Sequence, residues 1–136
     1  MRQTNTPRGG LRAFARHCIG LAALALAALA GAAQAQLPSP VFRFYNTQTG
    51  THFYTINADE CATVTADPAW TFEKYAFRAE MPAAEDCPAD RMRVVRVFNN
   101  FKGGALNHRY TTSASEAASL AGEGWVVEGA VFCTPP

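Results

Sequence analysis

An α+β fold of two tandem β-β-α-β repeats forming one small domain, mostly antiparallel strands with short helices, is what this sequence predicts. Three observations carry that prediction. Two stretches of the chain place the same residue types in the same order at offsets of 53 to 56 residues. Each stretch opens on β-branched and aromatic runs broken by turn residues, the pattern of a hairpin. Each hairpin then runs into a capping sequence and a short alanine-rich segment, the pattern of a helix start.

The first strands are Val41-Phe42-Arg43-Phe44-Tyr45-Asn46 and Val94-Val95-Arg96-Val97-Phe98-Asn99. Turn segments follow, Thr47 to Gly50 in one stretch and Asn100 to Leu106 with Gly103-Gly104 in the other. Their residue types favour reversal of the chain. Second strands are read at 52–56 and 108–112, opening on Thr51-His52-Phe53-Tyr54-Thr55 and Asn107-His108-Arg109-Tyr110-Thr111. Asn57-x-x-Glu60 and Ser113-x-x-Glu116 have the form of capping boxes. The helices end near Asp67-Pro68 and Gly122, and third strands open on Trp70 and Trp125, closing on Phe77 and Phe132. Agreement of two tryptophans, two histidines and two arginines in one order marks a duplicated unit. The repeats are bounded at about 41–80 and 92–133, with residues 81–91 as a proline- and acid-rich linker.

Residues 1–35 are a different kind of polymer. Four arginines and no acid precede an apolar run, Ile19 to Ala33, that ends on Ala33-Gln34-Ala35. This reads as a signal peptide for Sec export, cleaved before Gln36, with 36–136 as the mature domain and the periplasm or the medium as its address. The apolar run is short for a membrane span, so no stable membrane insertion is expected after cleavage. The whole chain carries a formal charge of +1, but without the leader eight basic residues face eleven acids, a net charge of −3. No basic stripe remains, which excludes nucleic acid as the expected partner.

Export leaves Cys61, Cys87 and Cys133 in an oxidising compartment. The favoured pair is Cys87 with Cys133, because these residues stand at the outer ends of the second unit. Cys61 is then the leftover thiol, available for an intermolecular disulfide. Three cysteines without tight spacing do not make a metal site, and no cofactor is expected.

The pattern resembles a repeat of secreted bacterial proteins described only as a domain of unknown function, with Y-R-F-Y-N, then H-F-Y-T, then G-W-x-x-E-G. Here it is carried by Phe42 to Asn46, Thr51 to Thr55, Trp70 with Glu73, Asn107 to Thr112, Gly124-Trp125 and Glu128-Gly129. Such repeats often accompany exported enzymes, which implies a binding accessory. Lys74 stands where the pattern has glycine. Phe42 stands where similar proteins often have a cysteine, the natural partner of Cys61, and its loss would leave that thiol free.

Strand alternation puts Arg43 and Arg96 on apolar strands where each needs a partner, and the repeated Glu73 and Glu128 are the candidates. Internal fasteners are the favoured role for Arg43, Glu73, Arg96 and Glu128. His52 and His108 each follow a turn; hairpin capping is their plain role and recognition the alternative. Trp70 and Trp125 serve either as core or as stacking platforms, with core favoured. If the rings are open, Asn46, His52, Tyr54 and Trp70 form one sugar site and Asn99, His108, Tyr110 and Trp125 a second, with avidity on a polymer. No nucleophile, paired-acid or metal spacing accompanies the histidines, so no catalytic residue is named. The expected function is an exported, non-catalytic binding module for cell-surface or cell-wall carbohydrate. A structural or protein-binding accessory and a small cell-wall hydrolase are the alternatives.

Overall fold

The structure is a computed structural model that describes residues 37–136. The expected export leader lies outside the described residues. The element order is β1 (Ser39–Asn46), β2 (His52–Thr55), α1 (Ala58–Ala66), β3 (Trp70–Ala79), β4 (Met92–Phe98), β5 (His108–Thr111), α2 (Ala114–Gly122) and β6 (Val126–Thr134). The strands form two three-stranded antiparallel sheets, ordered β2-β1-β3 and β5-β4-β6. Among the described residues no helix is long and apolar enough to cross a membrane.

Each hairpin is held by an asparagine at the end of its first strand. The Asn46 side chain accepts from the amides of Gln48 (2.9 Å) and Thr49 (3.0 Å), and Gly50 supplies the positive φ of 70° that closes the turn. Asn99 holds the longer loop, donating to the carbonyls of Lys102 and Ala105 and accepting from Asn107 N–H. Both asparagines are buried, 5% and 4% exposed, so they are turn scaffolds and not the sugar ligands expected of them.

The helix starts are capped through a relay. Asn57 accepts from Asp59 and Glu60 N–H, and Ser113 from Glu116 N–H. In a simple capping box the glutamate returns to the cap amide. Here Thr55 Oγ1 takes the Asn57 N–H at 3.0 Å and donates to Glu60 Oε2 at 2.6 Å. Thr111, Ser113 and Glu116 repeat this at the same distances. The relay leaves each glutamate with acceptor capacity to spare.

One face of each sheet lies under its helix. Phe42, Phe44, Phe53 and Cys61 form the core below α1, with Val64, Trp70 and Phe72 against it. Val97, Ala117 and Leu120 form the core below α2, with Val95 and Trp125 against it. The opposite faces meet in a third cluster, Val41, Ile56, Ala79 and Phe132, flanked by Tyr54, Val94, Tyr110 and Val131. Mutual amide-to-carbonyl bonds of Glu80 with Cys133 (3.0 and 2.8 Å) join the end of the first half to β6.

Cys87 and Cys133 form a disulfide. Cys61 is fully buried under α1 and is itself disulfide-bonded, so the free thiol expected there is corrected.

The third strand of each sheet is bulged twice at matching places. Register shifts fall between Val41 and Phe42 and between Arg43 and Phe44, and again between Val94 and Val95 and between Arg96 and Val97. The extra residues are Ala76 and Glu73 in β3 and Val131 and Glu128 in β6. A bulge puts two consecutive side chains on one face. Glu73 thereby shares the arginine face with Lys74, and Glu128 with Gly129.

Candidate functional site

Arg43 and Arg96 occupy the same register position, each opposite a tyrosine on the second strand, Tyr54 or Tyr110. Their surroundings differ. Arg96 Nε donates to Glu128 Oε2 at 2.6 Å, and its two terminal nitrogens fork onto Glu60 of the other sheet's helix at 3.0 and 2.6 Å. The guanidinium also lies 4.7 Å over the Phe53 ring. Its side chain is 7% exposed. Burial alone would depress this guanidinium's pKa, but the Glu60 hydrogen bonds and the Glu60 and Glu128 charges more than reverse it. Burial likewise opposes ionisation of Glu60, yet the Arg96 and Thr55 hydrogen bonds hold its pKa below the ordinary value.

The rest of that face is also filled from the first half. Tyr110 Oη accepts from Tyr54 N–H at 2.8 Å and donates to Tyr54 C=O at 3.1 Å, tying down the edge of β2. Burial pushes the Tyr110 hydroxyl pKa up. His108 lies between Phe53 (5.0 Å) and Phe98 (5.1 Å) and is 10% exposed. Burial pushes the His108 pKa down, and Arg96 adds to this against the opposing pull of Glu128 and Glu60. Asn99, His108, Tyr110 and Trp125 therefore form no open second site.

The matching face of the first half is open. Arg43 Nε stands 2.6 Å from Glu73 Oε2 but is not aligned to donate to it. Arg43 Nη2 contacts His52 Nε2 at 2.7 Å, and that nitrogen is 3.2 Å from Glu73 Oε2. A neutral His52 accepting from Arg43 carries its proton on Nδ1. Arg43, Glu73 and His52 keep 25%, 33% and 34% of their side-chain exposure.

Beside them opens a cleft of about 420 Å³ lined by Arg43, Lys74, Tyr54, Phe77, Tyr110 and Phe132, among others. Four rings form a circuit there: Tyr54 to Phe77 at 6.3 Å, Phe77 to Phe132 at 5.7 Å, Phe132 to Tyr110 at 5.9 Å and Tyr110 to Tyr54 at 5.4 Å. Phe77 is 48% exposed. A smaller cleft of about 260 Å³ contains Glu60, Arg96 and Glu128, where Arg96 is already paired with both carboxylates.

Trp70 is not part of the open face. It packs edge-on against Phe53 at 5.8 Å in the core below α1, while His52 and Tyr54 point to the opposite side of the sheet. The expected convergence of Asn46, His52, Tyr54 and Trp70 is thus corrected by strand alternation: Asn46 and Trp70 are register partners on the helix side. Trp125 packs below α2 in the same way, with the Arg109 guanidinium 5.1 Å over its ring.

Sequence reasoning passed over Lys74, Phe77 and Phe132 as site residues. The available signals were the aromatic that closes each repeat and the one position where lysine replaces glycine. Among the described residues no group of three His, Cys, Asp or Glu side chains converges to hold a metal. Aromatic faces beside fixed donors and acceptors suit binding of a ring-shaped, hydroxylated ligand. The chain belongs to the family described as Domain of unknown function (DUF5648), whose model matches residues 23–134. No curated protein and no solved structure matches it.

Proposed function

We propose that this member of the DUF5648 family is an exported, non-catalytic module that binds cell-surface or cell-wall carbohydrate, built as two tandem β-β-α-β repeats. The first repeat carries the site and the second supports it. The observation that carries this reading is the exposed Phe77 ring beside Tyr54, Arg43 and His52, backed by the buried Phe132 ring and by Tyr110. The C–H face of a sugar packs on an aromatic face, while its hydroxyls need donors and acceptors at the rim. One site per chain is expected, because the matching face of the second repeat is taken up by Phe53, Tyr54 and Glu60.

A glycan array and a peptidoglycan pull-down with the purified protein test the reading. Binding is expected, and Phe77→Ala should weaken it about tenfold, the loss of about 1.4 kcal/mol of ring contact. Trp70→Ala should lower the melting temperature instead, through loss of core. No retention on any glycan or wall polymer by a folded protein would retire the proposal.

A further inference from the structure

We infer that the Arg43 end of this cleft is a carboxylate seat, so that the saccharide bound there is an acidic one, with a uronate-type carboxylate on Arg43 beside Lys74. The inference rests on the carbohydrate reading above and specifies its ligand class. The molecule contains its own template. At the register position matching Arg43, the Arg96 guanidinium holds two carboxylates, Glu128 through Nε and Glu60 through the terminal fork. Arg43 has the counterpart of the first, Glu73, and no carboxylate in the place of the second among its described contacts. The seat that Glu60 fills in one half opens onto the cleft in the other.

Lys74 strengthens the case. It is the register partner of Arg43, as Gly129 is of Arg96, so a second cation stands only beside the Arg43 fork, where Nη2 meets His52 and no carboxylate takes the place of Glu60 among the described contacts. Arg43 and Lys74 against Glu73 leave one net positive charge at the rim with His52 neutral. That balance suits one carboxylate. An Arg fork takes a carboxylate through two parallel N–H bonds, as Arg96 does with Glu60. The exposed Phe77 ring, with Tyr54 beside it, provides the apolar surface for the sugar to which that carboxylate is attached.

Another carboxylate has the right local setting: Glu116 is exposed and receives the Thr111 hydroxyl at 2.6 Å, as Glu60 receives that of Thr55. A second copy of this chain could offer it to Arg43. The residue matching Phe53, however, is Arg109. Docking by the internal geometry would bring that cation toward Arg43, where the internal contact has a phenyl ring. The saccharide is therefore the favoured occupant.

The test is calorimetric titration of the purified protein with a galacturonate oligosaccharide and with the same oligosaccharide after reduction of its carboxyl groups, at low and high salt. The acidic ligand should bind at least about tenfold tighter, with the preference shrinking as salt rises. Arg43→Gln should collapse that preference toward one. Lys74→Gln, at an exposed position where folding is not at risk, should reduce it about threefold and flatten the salt dependence. Equal affinity for both oligosaccharides would overturn the carboxylate seat while leaving the carbohydrate reading in place. Failure to bind either would overturn the carboxylate seat, and failure on the glycan array as well would overturn the carbohydrate reading with it. If sedimentation then showed a dimer lost in Glu116→Gln, the second copy would be the occupant.

Discussion

At the scale of single residues, matching side chains differ most in what surrounds them. Arg96 and Glu60 form a forked pair between two parts of the chain, with Arg96 7% and Glu60 37% exposed. Removing one partner strands a buried charge. Glu60→Ala should cost about 2 kcal/mol, less than a fully buried pair because Glu60 keeps some solvent. Glu73→Ala, beside the more open Arg43, should cost no more than about 1 kcal/mol. Denaturant titration of both variants checks the contrast, and equal losses would contradict it.

The same cluster sets the acid sensitivity. The Glu60 pKa is lowered from its ordinary 4.5 by Arg96 and Thr55 against the cost of burial, so its contribution is complete above 4.5 and lost as pH falls through the lower folded-state value. Burial depresses His108 below its ordinary 6.5, so the unfolded chain binds its proton first. Stability from that group is also present above 6.5 and lost as pH falls through the folded value. Melting temperatures measured downward from pH 7 should therefore begin to fall below about 6.5 and fall faster below about 4.5. His108→Gln should flatten the first part of the decline and Glu60→Gln the second.

At the scale of elements, the threonine relay and the bulges decide which side chains meet. Thr55 is 1% exposed and carries the Asn57 amide on one side and Glu60 on the other. Thr55→Val keeps the shape but leaves the Asn57 amide unsatisfied and Glu60 held by Arg96 without the hydroxyl, for an expected loss of about 2 kcal/mol. Thr111→Val breaks the same relay beside the exposed Glu116 and should cost about 1 kcal/mol. Thermal unfolding of the two variants measures the difference. The bulges at Glu73 and Glu128 act at this scale too: alternation from Phe72 and Val127 already turns the two carboxylates toward the arginines, and the bulge keeps the next residue, Lys74 or Gly129, on that same face.

At the scale of the whole molecule, two sheets share one central cluster, and the segment between them is pinned by Cys87 to Cys133 across a sequence separation of 46 residues. Closing a loop of that length contributes roughly 4 kcal/mol by the loop-closure argument. Cys87→Ser with Cys133→Ser should therefore lower stability by about that amount, read as a shift in the denaturant midpoint with unchanged slope. A shift under about 1 kcal/mol would show that the Glu80 to Cys133 backbone bonds and the central cluster hold the halves by themselves. The packing of the first half onto the second also makes the molecule one-sided. One arginine becomes an internal fastener and the other faces a cleft.

Much of the element scale was legible in the residues alone. Asparagine before a turn, a capping residue three before glutamate, and β-branched runs at matching offsets act through contacts a few residues long, and short contacts are what a linear pattern encodes. The Cys87 to Cys133 bridge was legible for a related reason, since few cysteines leave few pairings. What only the tertiary structure decided lies across the chain. Glu60 reaches Arg96 over 36 residues, and Tyr110 reaches the Tyr54 backbone over 56. These contacts join two halves that are alike but not identical, so residue order could not say which half would cover the other. His52 and Tyr54 share one strand face, yet a site that also included Trp70 required both faces of the sheet at once. The bulges, invisible to a period-two reading, added Lys74 and Phe77 to the open side instead. By itself the sequence determined the strands, turns and caps because their physics is local; the structure alone decided that one face is filled and the other open, because that depends on how two unequal halves pack.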